Sequence, residues 1–424
     1  MEINHKVQVW ERYLGLLLLF MSSASQAVEI ESVQEVANSE FYIEKTIQYP
    51  SGLSLSQQII NGPPTPPVGF ELQRQAVSSP VPNILGVSKS ITTPAYSWVF
   101  GCSSVAGAMI AGYYDRAGWS NIYTGPANGG VAPIDNSTTY WPVWSDGYTT
   151  YPNLPIAASN QGVDGLSSRG SINDYWIQYN STSPDPYITG SWSQHAWGTA
   201  IGDYMKTSQS AFGNTDGSTV FYTLTDNSKL NCSTMPTYAS GVSGKTVADV
   251  DGTYGRKLFY EARGYTVTDC YSQKTDNKIA SGFSFVNYKA EIDANRPVMI
   301  NLAGHTVTGI GYDDATSTVY LHDTWDYNTH TMIWGSSYSG MEMQSVSIVN
   351  LSPAAGGTGV VSGLSAQGKV GINNEQLFGT FTVARDTRRV LIRGLGPTLG
   401  DYGTPGYITN PQITLTPNGS TTVL

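Results

Sequence analysis

The sequence predicts an α+β fold, with a helical part first, an antiparallel sheet after it and an all-β module at the end. Three observations carry this prediction. Apolar residues recur at helical spacing in four segments between residues 102 and 295. A series of short apolar strands follows from Val298, and from Ser352 the chain changes to short alternating strands separated by Gly and Pro. We therefore expect helices that cover an antiparallel sheet, followed by a β-sandwich-like module.

Length and charge exclude several classes of protein. The 424 residues suffice for roughly two or three folding units. Charged residues make up only 13%, against about 25% in an average chain, so neither a disordered acidic protein nor a coiled coil is expected. The net charge of −10 is spread without a basic run that would neutralise phosphates. Nucleic acid is therefore not an expected partner, and the oligomeric state is left open.

The first residues predict the compartment. Two basic residues precede a short apolar run over 14–21, and Ser25-Gln26-Ala27 offers a small-residue cleavage site. We expect residues 1–27 to be a secretory signal peptide cleaved near Ala27, and the mature protein to be secreted, periplasmic or on the cell surface. The apolar run is far shorter than the ~20 residues that a membrane span needs. No later stretch of the sequence predicts a membrane span either.

Residues 28–85 show weak periodicity and are rich in proline. They include Gly62-Pro63-Pro64-Thr65-Pro66-Pro67, a run that favours extended polyproline conformation over a helix or a central strand. We interpret this segment as a leader or a linker before the domain that follows.

Helices and strands are predicted next along the central region. The helices span residues 102–115, 199–210, 254–263 and 284–295. The third ends at Gly264, a residue suited to a helix C-terminus, and the fourth stops before Arg296-Pro297. The strands span residues 298–302, 305–312 and 319–323.

Cys102 begins the first predicted helix. A thiol there meets the positive end of the helix dipole and unpaired backbone amides, which lower its pKa and favour the nucleophilic thiolate. The other interpretation is a small buried hydrophobic residue. The chain has three cysteines, so at least one thiol is unpaired within an exported chain.

His305 and Asp323 supply the other groups of a catalytic set. The strands around them predict a hairpin centred at Asp314, and in that register His305 pairs with Asp323 while His322 points to the opposite side. A thiol at a helix start, an imidazole on a strand and a carboxylate on the next strand form a nucleophile, a base and an orienting group. Taken singly, His305 also suits a half-buried sheet position, and Asp323 suits a turn.

Four segments together resemble papain-like cysteine peptidases of the bacteriocin-leader-processing (double-glycine peptidase-like) type, in particular their exported bacterial relatives. They are YSWVFGCSSVAGAMIAGYYD (96–115), GTAIGDYMKTSQ (198–209), DGTYGRKLFYEARGYTV (251–267) and the stretch 288–326, which contains AGHTVTGIGYDD. The resemblance implies a papain-like domain over residues 86–351 that hydrolyses peptide bonds through a thioester. It implies Cys102 as nucleophile, His305 as general base and Asp323 as orienting acid, with a peptide or protein substrate and no metal or organic cofactor.

One position departs from that family. The leader-processing enzymes usually carry a Gln six residues before the cysteine, where its side chain helps stabilise the oxyanion, and this chain has Tyr96 there. Tyr96, Ser97 and Trp98 are the candidate donors in its place. A non-catalytic surface or binding protein that retains the fold therefore stays open, as does an amidase or acyltransferase with the same triad.

Two further expectations concern the segment before the domain and the other two cysteines. Residues 28–85 either cover the cleft as an inhibitory leader or act as a passive spacer, with Phe70 and Leu72 as anchors. Because export favours oxidation and Cys102 is reserved for chemistry, Cys232 and Cys270 are expected to form a disulfide, the alternative being two buried thiols.

The C-terminal residues carry a resemblance of their own. RRVLIRGLGPTLGDYGTPGYITNPQITLTPNG (388–419) resembles a β-rich repeat module common in large exported bacterial proteins. We expect an all-β module over 352–424 that stops partway, as in a fragment of a longer protein.

Overall fold

The structure, a computed structural model, describes ten stretches of the chain: residues 27–77, 88–124, 127–137, 144–145, 150–151, 154–158, 200–214, 217–353, 360–361 and 383–384. The predicted signal peptide, apart from Ala27, and most of the predicted C-terminal module lie outside these residues. Two short strands of that module are described and pair with each other antiparallel.

Helices within the described residues are α1 (Cys102–Arg116), α2 (Ile201–Met205), α3 (Val247–Val250), α4 (Gly252–Glu261) and α5 (Phe285–Asp293). The strands are β1 (Ser32–Asn38), β2 (Tyr42–Gln48), β3 (Ser54–Ile60), β4 (Ser88–Ser90), β5 (Trp144–Ser145), β6 (Thr150–Tyr151), β7 (Thr219–Leu224), β8 (Leu230–Asn231), β9 (Val267–Lys274), β10 (Val298–Leu302), β11 (His305–Asp313), β12 (Thr318–His322), β13 (His330–Ile333), β14 (Ser337–Tyr338), β15 (Met341–Leu351), β16 (Val360–Val361) and β17 (Val383–Ala384). No helix in these stretches combines the length and the apolar composition needed to cross a membrane.

The main sheet is antiparallel and runs in the order β13-β12-β11-β10-β15-β9-β8, with β4 beside β11 and β14 beside β15. Helices pack on both of its faces. Alternate residues of a strand point to opposite faces, and in β10 Met299 packs in the apolar cluster that contains α1, whereas Val298 and Ile300 pack in the cluster that contains α5. This mixture of helix and antiparallel sheet agrees with the predicted α+β class.

Residues 32–60 differ from the predicted leader or linker, because they form β1, β2 and β3. These strands form a second, four-stranded sheet in the order β1-β2-β3-β7, in which β3 pairs with β7, far along the chain. The apolar pattern of β3 is weak because several of its buried side chains are polar and form hydrogen bonds. Gln57 Nε2 donates to the Tyr222 hydroxyl at 2.7 Å, and Gln58 Oε1 accepts from the Ser345 hydroxyl at 2.7 Å. The strand therefore carries no simple hydropathy signal.

The predicted helices occur with shifted ends. α2 stops at Met205 because Lys206 adopts the left-handed conformation, with φ of 59°. α4 begins two residues before its predicted start, because the Asp251 carboxylate accepts from the Tyr254 amide and caps the helix.

The predicted hairpin register is wrong. β11 pairs with β12 through Thr308 and His322, with a bulge between Gly309 and Gly311. The turn lies later than predicted because the Asp313 carboxylate accepts from the Ala315 amide at 2.9 Å, a side-chain turn of the kind that Asp favours. His305 and Asp323 are thus not a ladder pair. They still lie at the same end of the sheet, because β11 begins at His305 and β12 ends one residue before Asp323.

Candidate active site

Cys102 is presented by a turn that only glycine allows. Gly101 has φ of 145°, and a Cβ there would lie 2.6 Å from the Gly217 carbonyl oxygen. The preceding Phe100 also has a positive φ, of 54°. This turn places Cys102, which is fully buried, as the first residue of α1. Its amide is among the first N–H groups of the helix, which have no intrahelical partner.

Two hydroxyl contacts hold α1 against β11. The Ser103 and Thr306 hydroxyls hydrogen-bond each other at 2.7 Å, and the Thr308 hydroxyl donates to the Ala106 carbonyl at 3.2 Å. Ser103 follows Cys102, and Thr306 follows His305. The contact between Ser103 and Thr306 therefore sets the position of the thiol relative to the imidazole.

The two ring nitrogens of His305 have different surroundings. Nε2 lies 2.7 Å from the main-chain carbonyl oxygen of Asp323. A carbonyl oxygen can only accept, so Nε2 carries the proton and Nδ1 is the basic nitrogen of the neutral ring. Nδ1 has no hydrogen-bond partner among the described residues and lies beside Cys102 Sγ, since a Cβ built on Gly62 would touch both atoms. His305 is thus ready to take the proton of the thiol.

The surroundings of Cys102 favour its thiolate. Burial raises the pKa of the Cys102 thiol, but the His305 side chain, the Ser103 hydroxyl and the Thr306 amide lower it. The lowering effects prevail, and the pKa lies below its ordinary value. A lowered thiol pKa is the property expected of a nucleophilic cysteine.

The Asp323 carboxylate does not contact the imidazole. It accepts from the Tyr338 hydroxyl at 2.7 Å, from Arg74 Nε at 2.8 Å and from the Trp325 amide at 3.1 Å. Asp323 lies just beyond the last paired residue of β12, so its side chain is not constrained to share a face with His305. The orienting acceptor for the imidazole is instead the main-chain carbonyl of the same residue.

The three candidate oxyanion donors point to different partners. The Tyr96 hydroxyl donates to the Pro133 carbonyl at 2.6 Å. The Ser97 hydroxyl and amide both donate to Asn136 Oδ1. Trp98 Nε1 donates to the Gly62 carbonyl oxygen at 3.1 Å, next to the nucleophile. Among the three, Trp98 is the one whose bond reaches the residue that lies against the Cys102 thiol.

Trp325 completes the wall of the site, although sequence reasoning did not single it out. Its ring stacks on His305 with a centroid distance of 3.9 Å and an interplanar angle of 15°. Its Nε1 donates to the Pro63 carbonyl at 2.8 Å. The stacking excludes water from one face of the imidazole. The signal in the sequence was slight, because Trp325 lies two residues after Asp323 in a segment interpreted only as the end of a strand.

His322 has a structural role. Its Nδ1 donates to the Pro94 carbonyl at 3.1 Å. Burial lowers the pKa of His322 to about 4, only partly offset by the Pro94 carbonyl and by Asp323. The ring is therefore uncharged at neutral pH.

One set of side chains has the composition of a metal site. Asp323, Asp326 and His330 place ligand atoms within 4.8 Å of one another. The Arg74 guanidinium contacts both carboxylates, at 2.8 and 3.0 Å. The positive charge that a metal ion would bring is thus already supplied by Arg74.

Cys232 and Cys270 form a disulfide, with their Cα atoms 5.4 Å apart, and Cys102 is a free thiol. The Cys232 amide also donates to the Cys270 carbonyl at 2.9 Å. The bridge joins the segment after β8 to β9 and leaves one thiol for chemistry.

The comparison with known proteins gives one match. Residues 222–346 match the model of the Peptidase_C39 like family. The matched stretch runs from β7 into β15 and includes His305 and Asp323, whereas Cys102 precedes it. No curated protein and no solved structure matches the chain. The family match supports a C39-type papain-like cysteine peptidase.

Proposed function

We propose that this chain is an exported cysteine peptidase that hydrolyses peptide bonds with Cys102 as nucleophile and His305 as general base. The observation that carries the proposal is the asymmetry of the His305 ring. Nε2 is held by the Asp323 carbonyl, so the basic Nδ1 faces a buried thiol whose pKa is lowered.

The reaction follows from these positions. Nδ1 takes the thiol proton, and Sγ attacks the carbonyl carbon of the peptide bond. The Trp98 indole N–H and the Cys102 amide stabilise the resulting oxyanion. Nδ1 then returns its proton to the leaving amine, which departs and leaves a thioester on Cys102. Water, deprotonated by Nδ1, attacks the thioester, and the protonated imidazole returns its proton as the thiolate leaves.

Export is part of the proposal. The disulfide between Cys232 and Cys270 supports it, because such bonds persist mainly in oxidising compartments. The Ser25-Gln26-Ala27 cleavage site remains a prediction from the sequence.

Covalent capture by a peptidyl vinyl sulfone, a reagent that traps catalytic thiolates, tests the proposal. Because Gly62 lies against the thiol, the wild type is assayed beside Gly62→Ala, whose added methyl group would overlap Cys102 Sγ and displace that segment. We expect one adduct per chain by intact mass, in the wild type or in Gly62→Ala, and cleavage of a peptide library by the same chain. Cys102→Ala should form no adduct and cleave no peptide.

The outcomes separate the alternatives. No adduct in either chain would contradict the peptidase and favour a binding protein. An adduct together with release of ammonia or acyl transfer to an added amine, but without peptide cleavage, would make the chain an amidase or acyltransferase.

A further inference from the structure

The segment that follows β3 runs through the candidate active site. We call residues 61–77 the strap. Two consecutive carbonyls of the strap accept from two indoles of the domain: Gly62 from Trp98 Nε1 at 3.1 Å and Pro63 from Trp325 Nε1 at 2.8 Å. One of these indoles is the candidate oxyanion donor, and the other stacks on His305. The Gly62 carbonyl thus bonds the N–H that the proposed mechanism assigns to the substrate oxyanion.

Gly62 fits only because it lacks a side chain. A Cβ there would overlap Cys102 Sγ and would lie 2.5 Å from His305 Nδ1. The backbone of the strap therefore lies directly over the nucleophile and the base. The same contact covers part of the Cys102 side chain, which has no exposed surface.

A second set of contacts, made by Arg74 and Phe70, holds the strap to the domain further along the segment. Arg74 contacts the Asp323 carboxylate, which is fully buried, and Asp326, and its guanidinium lies 5.3 Å from the centre of the Trp325 ring. Phe70 packs so closely on Gly340 that a Cβ at residue 340 would overlap its ring. Charge-assisted hydrogen bonds to a buried carboxylate are among the stronger polar contacts in proteins, so Arg74 is the main anchor.

The composition of the strap lowers the entropic cost of keeping it in place. Four prolines in residues 63–67 fix the φ angle of the backbone at four positions before the segment binds. A segment with fewer accessible conformations loses less freedom when it lies in a cleft. The prolines therefore help the strap to remain bound.

We propose that the strap is an intramolecular inhibitor that lies in the peptide-binding cleft as a substrate would, and that the chain is latent until the strap is displaced or cut. The inference rests on the proposed function, because an inhibitor presupposes an active nucleophile. It favours the inhibitory leader over the passive spacer, which the sequence left equally open. The activating event is one that breaks the Arg74 contacts or removes the strap.

The test measures access to Cys102 separately from catalysis. The wild type, Gly62→Ala, Arg74→Ala and Phe70→Ala are treated with iodoacetamide under native conditions, and the rate of alkylation is followed by intact mass. The sequence predicts Leu72 as an anchor of this segment, but it is 82% exposed, so that expectation is wrong and Leu72→Ala is the matched control. Circular dichroism and thermal unfolding check that each variant folds. Peptide hydrolysis is measured in parallel.

We expect alkylation of Cys102 to be at least about tenfold faster in Arg74→Ala, corresponding to the loss of one strong contact. A similar increase is expected in Gly62→Ala, because its added methyl group would overlap Cys102 Sγ and displace the strap. A smaller increase is expected in Phe70→Ala and no change in Leu72→Ala. Hydrolysis should rise in the same order. Increased alkylation without hydrolysis in any variant would support the strap as a barrier and contradict the proposed peptidase.

Two results would overturn the inference. Equal alkylation rates in the wild type and in folded Gly62→Ala and Arg74→Ala would show that the strap does not cover the thiol. A wild-type chain that cuts itself between Gly62 and Pro63, observed as two fragments that Cys102→Ala does not produce, would make the strap a substrate rather than an inhibitor.

Discussion

At the scale of single residues, the candidate site depends on which nitrogen of His305 carries the proton. The Asp323 carbonyl can only accept, so it keeps the proton on Nε2 and leaves Nδ1 free to act on the thiol. The sequence predicts His305 and Asp323 as partners, and they are, but through a main-chain atom. Residue patterns predict which side chains share a face, whereas they carry no signal for a carbonyl that takes the place of a carboxylate.

The role of Trp98 can be tested by removing its N–H alone. Because Trp98 Nε1 also bonds the strap, the comparison is made in the Gly62→Ala background. Trp98→Phe retains an aromatic ring, and kcat should fall there by about 10²–10³, the usual loss for one oxyanion donor, with little change in KM. Tyr96→Phe is the control, because the Tyr96 hydroxyl donates to Pro133 and should affect stability more than kcat. Steady-state kinetics of the two variants show which of the two residues donates to the oxyanion. Unchanged kcat in Trp98→Phe with a large loss in Tyr96→Phe would reverse the assignment.

His322 makes folding dependent on pH. Its pKa is about 4 in the folded chain and about 6.5 when unfolded, so the unfolded state binds more protons between these values. Stability is therefore full above pH 6.5 and is lost as the pH falls toward 4, by about 2 kcal/mol between pH 7 and pH 5. Urea unfolding at both pH values should show this loss in the wild type and a smaller one in His322→Gln. Equal losses in the two chains would exclude His322 as the cause.

At the scale of elements, α1 and β11 form the framework of the site. The helix was predictable, because apolar spacing after Gly101 indicates where it begins, and its start positions Cys102. The register of β11 against β12 was not, because the turn that Asp313 forms with the Ala315 amide moves the pairing and a bulge follows Gly309. Turn position and bulges decide register more than apolar alternation does.

The hydroxyl pair between α1 and β11 should act on both reactivity and stability. Ser103→Ala removes the Thr306 contact and a hydroxyl that lowers the pKa of Cys102, so that pKa should rise. We expect a stability loss of about 1 kcal/mol and a fall in kcat at neutral pH. Raising the pH should restore part of the rate, which a purely structural defect would not allow. The pH profile of Cys102 alkylation measures this effect, and a profile identical to the wild type would contradict it.

At the scale of the whole molecule, contacts distant in sequence join the N-terminal strands to the site. β3 pairs with β7, and the strap that follows reaches Cys102, Trp98 and Trp325. The composition of residues 28–85 indicates only an extended, proline-rich segment. Which surface it covers depends on Arg74 meeting Asp323, a contact between distant parts of the chain that leaves no local pattern.

The disulfide should stabilise the molecule without taking part in the reaction. Cys232 and Cys270 are 38 positions apart, and closing such a loop contributes roughly 4 kcal/mol in the chain-entropy model. Replacing both with Ala should lower the thermal midpoint of unfolding clearly while leaving kcat of the remaining folded protein unchanged. Calorimetry with and without reductant measures the difference. An unchanged midpoint would mean that the bridge adds no stability.

The central claim is that His305 activates Cys102, and the pH dependence of Cys102 alkylation tests it most directly. In the wild type we expect the pH midpoint of Cys102 alkylation to lie below that of an ordinary thiol. In His305→Ala the midpoint should rise above the ordinary value, because burial then acts without the opposing imidazole. Both chains carry the strap, so the midpoints are compared and not the absolute rates. The same midpoint in both chains would contradict the account.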